Sequence, residues 1–181
     1  SLPENNILIS MQAIACLFSL LNKTKNIDQK VFENVINSIN SLKIPGRLEK
    51  LMHKKVHDVY IDVGHNPHAA VFLKSFLFEN AKPSKKIQIV YSALGDKDVL
   101  GVLQILSPLV DRCIIAPLQT ERAMPLDVLN DNAVKSGMKN VLSFTTIDEA
   151  IRNSLAFSFE SANRNEPVLT LIFGSFYTVE A

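Results

Sequence analysis

Apolar residues recur at helical spacing at Ile7, Met11, Ile14, Ala15, Phe18 and Leu21, and again at Val31, Val35, Ile36 and Ile39. The chain therefore opens with two amphipathic helices. Asp28 stands at the cap of the second, with Ile27 and Phe32 placed as a hydrophobic staple around it. Lys43-Ile44-Pro45-Gly46-Arg47 then breaks the period with a linker signal. Beyond it, short apolar runs alternate with helical patterns. The runs predict strands over 47–53, 58–63, 87–93, 113–116, 140–144 and 168–173, and helices over 67–80, 98–107, 125–136 and 147–159. Asn66 is placed to cap the first of these helices and Pro67 to open it. Thr146 and Glu149 have the spacing of a capping box, and Gly137 is placed to end the third helix.

Strands separated by helices imply crossover connections and a mostly parallel sheet. The expected architecture is a three-layer, Rossmann-like α/β domain over 43–181, preceded by a helical segment over 1–42. The strand at 47–53 turns back onto 58–63, which makes it an antiparallel edge. In such a sheet the C-terminal strand ends form the working edge. They deliver His65, Asn66 and His68; Asp96, Lys97 and Asp98; Gln119, Thr120, Glu121 and Arg122; and Ser175, Tyr177 and Thr178.

Composition narrows the function classes. With 181 residues, 47% of them hydrophobic, the chain can bury a substantial core. A net charge of +1, with no basic run longer than a pair, predicts neither a nucleic-acid stripe nor a surface for anionic membranes. No apolar run reaches membrane-spanning length and no signal peptide is evident. Cys16 and Cys113 lie far apart in apolar surroundings, which predicts buried free thiols in a reducing, cytoplasmic setting. The opening Ser1-Leu2-Pro3, without a Met, suggests a piece of something longer.

The densest chemistry is Asp62-Val63-Gly64-His65-Asn66-Pro67-His68. A carboxylate, an imidazole and an amide crowd one strand-to-helix turn, and the helix N-terminus offers N–H groups to an anion. Asp62, His65 and His68 also offer oxygen and nitrogen donors to a metal, the ligand set of a metal-dependent phosphoesterase. However, the run crosses from strand to turn and lacks a second cluster. Gly174-Ser175 follows the last strand, where a small residue lets backbone N–H groups approach an anion. Ser175 lacks the surroundings of a nucleophile elbow, so hydrogen bonding to a ligand is the expected role. Arg47, after a Pro-Gly pair, is suited to reach a phosphate, although an ordinary surface arginine is the commoner case. Asp96-Lys97-Asp98 can cap the next helix. With six glycines and neither a P-loop nor a Gly-x-Gly-x-x-Gly fingerprint, the chain can handle ATP only as half of a site.

Five segments taken together resemble the C-terminal domain of folylpolyglutamate synthase/dihydrofolate synthase, within the Mur ligase superfamily. They are Pro45-Gly46-Arg47-Leu48-Glu49, the 62–69 turn, Asp96-Lys97-Asp98, Thr120-Glu121-Arg122-Ala123 and Gly174-Ser175-Phe176-Tyr177-Thr178-Val179. The resemblance implies an ATP-dependent ligase that uses Mg2+ and adds L-glutamate to dihydropteroate or a folate through an acyl phosphate. It implies that ATP lies between this domain and a central P-loop domain of the same parent chain. It implies ATP contacts for Asn6, Arg47 and Asp62, glutamate contacts for His65 and Ser175, and further contacts for Asn66, His68, Asp96 and Arg122. Residues 1–42 would then be a remnant of the central domain. Val63-Gly64 departs from that family's Gly-Ala, Glu121 from its proline and Tyr177 from its histidine. A Mur-type peptidoglycan ligase and an amino-acid-sensing binding module are the other readings.

Overall fold

In the computed structural model, the described residues are 12, 13, 16, 17, 30, 33, 34, 37, 45–51, 58–81 and 85–180. The chain divides into two compact units, Ser1–Arg47 and Leu48–Ala181. In the first unit the backbone is helical at Gln12, Ala13, Cys16 and Leu17 and at Lys30, Glu33, Asn34 and Asn37, all of them exposed. These positions fall between the apolar residues of the two expected helices. The cap at Asp28 and its staple lie outside the described residues. Cys16 corrects an expectation: it is exposed, whereas Cys113 is buried as expected and its thiol is pushed up to about 12 by burial. Helical spacing explains the error, because Cys16 does not share the apolar face that its neighbours define.

The second unit is built on six strands. β1 is Glu49–Leu51, β2 Val59–Asp62, β3 Lys86–Tyr91, β4 Arg112–Ile115, β5 Val141–Ser143 and β6 Val168–Phe173. Their order across the sheet is β1-β2-β6-β3-β4-β5. Only β1 is antiparallel, running against β2 with Glu49 opposite Ile61. The other pairings are parallel. The helices are α1 Pro67–Asn80, α2 Val99–Leu106, α3 Leu126–Lys135, α4 Ile147–Asn163 and α5 Phe176–Glu180. Among the described residues, no helix is long and apolar enough to cross a membrane.

Alternation along the strands builds two cores. Ile87, Ile89 and Tyr91 of β3, with Leu169, Leu171 and Phe173 of β6, pack with residues of α1, α2 and α3. Val90, Ile114 and Ile172 form the opposite core with Ile147 and Ala150 of α4. The central strands are thus buried on both faces, which is why their sequences read as continuous apolar runs.

The helix ends follow the side chains available. Asn66 accepts the Ala69 N–H at 2.9 Å, and Asp98 accepts the Gly101 N–H at 2.9 Å. Gly137, at φ +80°, closes α3. Its N–H donates to Val134 O and that of Met138 to Ala133 O, the paired bonds of a Schellman motif. The box at α4 is half made. Thr146 accepts the Glu149 N–H, but the Glu149 carboxylate accepts the Thr145 hydroxyl instead of returning to the Thr146 backbone. α4 also continues four residues past the expected end at 159, to Asn163, because Ser158 and Ser161 face inward in place of apolar residues.

Asp58, entering β2 at φ +63°, accepts from Lys50 at 2.8 Å and Lys85 at 2.7 Å. The Lys50 hydrogen bond, followed by that of Lys85, holds its carboxyl below the usual carboxylate range. A carboxyl with a lowered folded-state pKa contributes stability above its unfolded pKa and loses it as pH falls through the folded value. Asp58→Asn should therefore cost about 1 kcal/mol near neutrality, a network of partly exposed charges being worth no more. The difference from the wild-type chain should shrink to nothing as urea melts are repeated from pH 5 down to pH 2.

Candidate functional site

The chain crosses the sheet in one direction from β2 through β3 and β4 to β5, then returns to insert β6 between β2 and β3. That reversal leaves a crevice where the C-terminal ends of β2, β6 and β3 meet, and crevices of this kind take ligands in open α/β sheets.

Asp62 ends β2 and is almost wholly buried, at 3% exposure. Its Oδ1 accepts the Gly64 N–H at 2.6 Å and its Oδ2 the Leu48 N–H at 3.0 Å. One carboxylate thus holds the turn that follows β2 and the backbone entering β1. A methyl group at Gly64 would come within 2.7 Å of Asp62 Oδ1 and 3.0 Å of the Ala69 Cβ, so an alanine there needs the carboxylate or the start of α1 to shift.

The turn presents His65 half-buried, with Nδ1 3.0 Å from Val63 O, and leaves Asn66 and His68 exposed at the start of α1. The first turn of α1 carries no acidic side chain, so its N-terminal partial charge keeps its sign toward a ligand. Across the crevice, Asp62 pairs in register with Phe173, and Gly174-Ser175 follows directly. Gly174 has φ +129°, and a Cβ there would collide with the Ser92 carbonyl oxygen at the end of β3. Ser175 is buried, and its hydroxyl accepts the Thr178 N–H at 3.2 Å and lies 3.1 Å from Thr178 Oγ1. Ser175 thus caps α5 from inside the crevice, while Phe176 and Tyr177 beside it are exposed.

The third group comes from the loops after β3 and β4. Leu94 and Ala123 form an isolated bridge, and the Gly95 N–H donates to Arg122 O at 2.8 Å. This tie sets Asp96 2.7 Å from Lys97 Nζ and 3.7 Å from the Arg122 guanidinium. The Lys97 hydrogen bond holds the exposed Asp96 carboxyl below its ordinary range. Asp98 is the capping member of the trio and Asp96 the paired one.

The site residues expected from sequence thus separate into groups. Asp62, His65, Asn66 and His68 share the turn after β2, Ser175 lies on the neighbouring strand end, and Asp96 and Arg122 share the loop pair beyond it. Arg47 is exposed and ends the first unit, after Gly46 at φ +69°. Asn6 lies outside the described residues. The structure gives the metal reading of Asp62, His65 and His68 no support: both Asp62 oxygens are engaged by backbone N–H groups, and His65 Nδ1 faces its own turn. Among the described residues, no group of three His, Cys, Asp or Glu could hold a metal ion. Sequence reasoning missed Ser92, whose carbonyl makes glycine obligatory at 174. Only the glycine itself, at the end of an apolar run, pointed to such a close approach.

Gly174→Ala combines a left-handed backbone with a clash against backbone, and should destabilise the domain by roughly 3 kcal/mol. Urea unfolding of the two chains checks this, and a change below about 1 kcal/mol would contradict the close approach.

The model of the family described as Mur ligase, glutamate ligase domain, matches residues 46–176. A dihydrofolate synthase/folylpolyglutamate synthase of Buchnera aphidicola subsp. Schizaphis graminum is 29% identical over 181 residues, 99% of this chain and 39% of that protein. The structure of Mycobacterium tuberculosis folylpolyglutamate synthase complexed with ADP and AMPPCP superposes with a TM-score of 0.70 at 28% identity, covering 81% of this chain and 33% of that one. A bifunctional folylpolyglutamate synthase/dihydrofolate synthase with Mn, AMPPNP and L-glutamate bound gives a TM-score of 0.67 at 27% identity, covering 81% of this chain and 32% of that one. The chain spans about two-fifths of the curated relative's length. With a family-model match over most of its length, the chain belongs to the Mur ligase, glutamate ligase domain family.

Proposed function

We propose that this chain supplies the small-domain half of an ATP-dependent ligase site that adds L-glutamate to dihydropteroate or a folate. The observation that carries the proposal is the crevice between the ends of β2 and β6. There His65 and Ser175 flank the N-terminus of α1, whose first turn carries no acidic residue. Such a site suits the carboxylates of an amino acid. The family match and the ligands of the solved relatives, a nucleotide, a divalent metal and L-glutamate, support the same assignment.

In this reading His65 and Ser175 position the incoming glutamate, with Asn66 and His68 at the rim. Asn6, Arg47 and Asp62 serve the nucleotide, and Asp96 and Arg122 line the approach to the site. Asp62 acts by shape: its two backbone hydrogen bonds fix the turn that presents His65. ATP, with Mg2+, supplies the phosphate that activates the acceptor carboxylate as an acyl phosphate. Residues 1–42 belong to the central P-loop domain and 43–181 to the glutamate domain, in a cytoplasmic enzyme. Acyl-phosphate chemistry needs cationic and N–H donors around the transferring phosphate and exclusion of water, and closure of a small domain against a larger one provides both.

This chain alone should release no ADP when given ATP, a folate and glutamate. Calorimetry with L-glutamate should give weak binding that His65→Ala abolishes. Glutamate binding that persists unchanged in His65→Ala would place the amino acid elsewhere. In the full-length parent, Arg47→Ala should lower activity by orders of magnitude while thermal unfolding stays unchanged, and wild-type kinetics in that variant would remove Arg47 from the site.

A further inference from the structure

At the opposite edge of the sheet, where β3, β4 and β5 begin, a second concavity of about 650 Å3 opens beside α4. This volume falls in the range of small-molecule sites. Its floor holds Arg112, the first residue of β4, which is half-buried. The guanidinium donates from Nη1 to Gln88 Oε1 at 2.8 Å and from Nη2 to Asn153 Oδ1 at 2.7 Å, and lies 4.3 Å from the centre of the Phe157 ring.

Both acceptors are neutral. They fix the plane of the guanidinium without cancelling its charge, and Arg112 makes no ion pair among the described residues. Gln88 is itself immobilised, its amide nitrogen lying 2.7–2.8 Å from three acceptors, Ser154 O, Ser158 Oγ and Thr170 Oγ1, for its two N–H groups. The nearest carboxylate in sequence, Asp111, accepts the Ile87 N–H at 2.9 Å instead of pairing with its neighbour. Three of the five guanidinium N–H groups therefore have no acceptor among the described residues. Burial alone pulls the Arg112 pKa down, the sign of a cation that has lost water without gaining a counter-charge. Phe157, Val141 and the exposed Leu142 supply an apolar wall on one side, while Asn140, Asp111 and Lys86, the last paired with Glu166, form the polar rim.

We propose that the concavity at the N-terminal ends of β3, β4 and β5 is a binding site for a small carboxylate with an apolar body, held by the Arg112 guanidinium. The carboxylate meets the open N–H groups and restores the missing counter-charge, while the apolar body lies against Phe157 and Leu142. The site is separate from the crevice at the C-terminal strand ends and does not depend on the ligase assignment.

The test is a titration of the isotope-labelled chain, followed by amide NMR, with sodium benzoate, and with benzyl alcohol as the neutral match. Benzoate should shift the amides of Arg112, Asn140 and Leu142, and benzyl alcohol should leave them in place. Arg112→Gln should weaken benzoate binding by about tenfold or more, as loss of a charge-assisted pair does. Arg112→Lys, which keeps the charge without the planar fork, should fall between. Equal responses to benzoate and benzyl alcohol in the wild-type chain would overturn the proposal without reference to any variant. So would benzoate shifts confined to residues 65–69, or an unchanged affinity in a folded Arg112→Gln.

Discussion

The Asp62 carboxylate is the constraint on which the working edge depends. A charge taken out of water is costly unless hydrogen bonds replace its hydration. Here the replacement is two backbone N–H groups from segments far apart in sequence, Leu48 and Gly64. The same two bonds that make the burial tolerable also fix where β1 joins β2 and how the chain turns toward α1. The direction in which His65 leaves the sheet and the position of the Asn66 cap both follow from this arrangement. An apolar residue at 62 could fill the space but would hold neither segment.

The rest of the edge is assembled by close approach. Gly174 lets the chain leaving β6 run against the Ser92 carbonyl at the end of β3, with no room for a Cβ between them. The Leu94–Ala123 bridge then draws the loop after β4 into the same row. Polar groups from four strand ends are thus brought to one edge of the sheet largely by backbone contacts.

Much of this was legible in the residues. The apolar runs located the central strands to within a few positions, because parallel strands buried on both faces cannot carry a polar period. The exposed edge strand β1 was legible only from its turn back onto β2. The helix starts at Asn66-Pro67 and Thr146 and the stop at Gly137 were readable because capping is local chemistry. Long-range arrangements were not. That β6 lies between β2 and β3, that Asp62 reaches back to Leu48, and that Ser92 crowds Gly174 are contacts between residues tens of positions apart. A pattern read along the chain carries no trace of them. Gln88 and Thr170 interrupt apolar strands, and only the register that sets them opposite each other reveals one network. Cys16 was misjudged because apolar neighbours in sequence are not neighbours on a helix.

The place of β6 has a consequence for how the domain is made. The strand at the centre of the sheet is the last to be synthesised, and the two strands it joins cannot bond to each other across the gap it leaves. Until residues 168–173 arrive, β2 with its antiparallel partner and the β3–β5 layer are separate pieces, each with an exposed strand edge. The last insertion must bridge more than a hundred residues back to β2, a contact order that makes such sheets slow to close. The interval between synthesis of β5 and docking of β6 is therefore when this chain is most open to mispairing with other strands. The Gln88–Thr170 match at the centre then acts as a register key, because a shift of one residue would set Gln88 against an apolar neighbour.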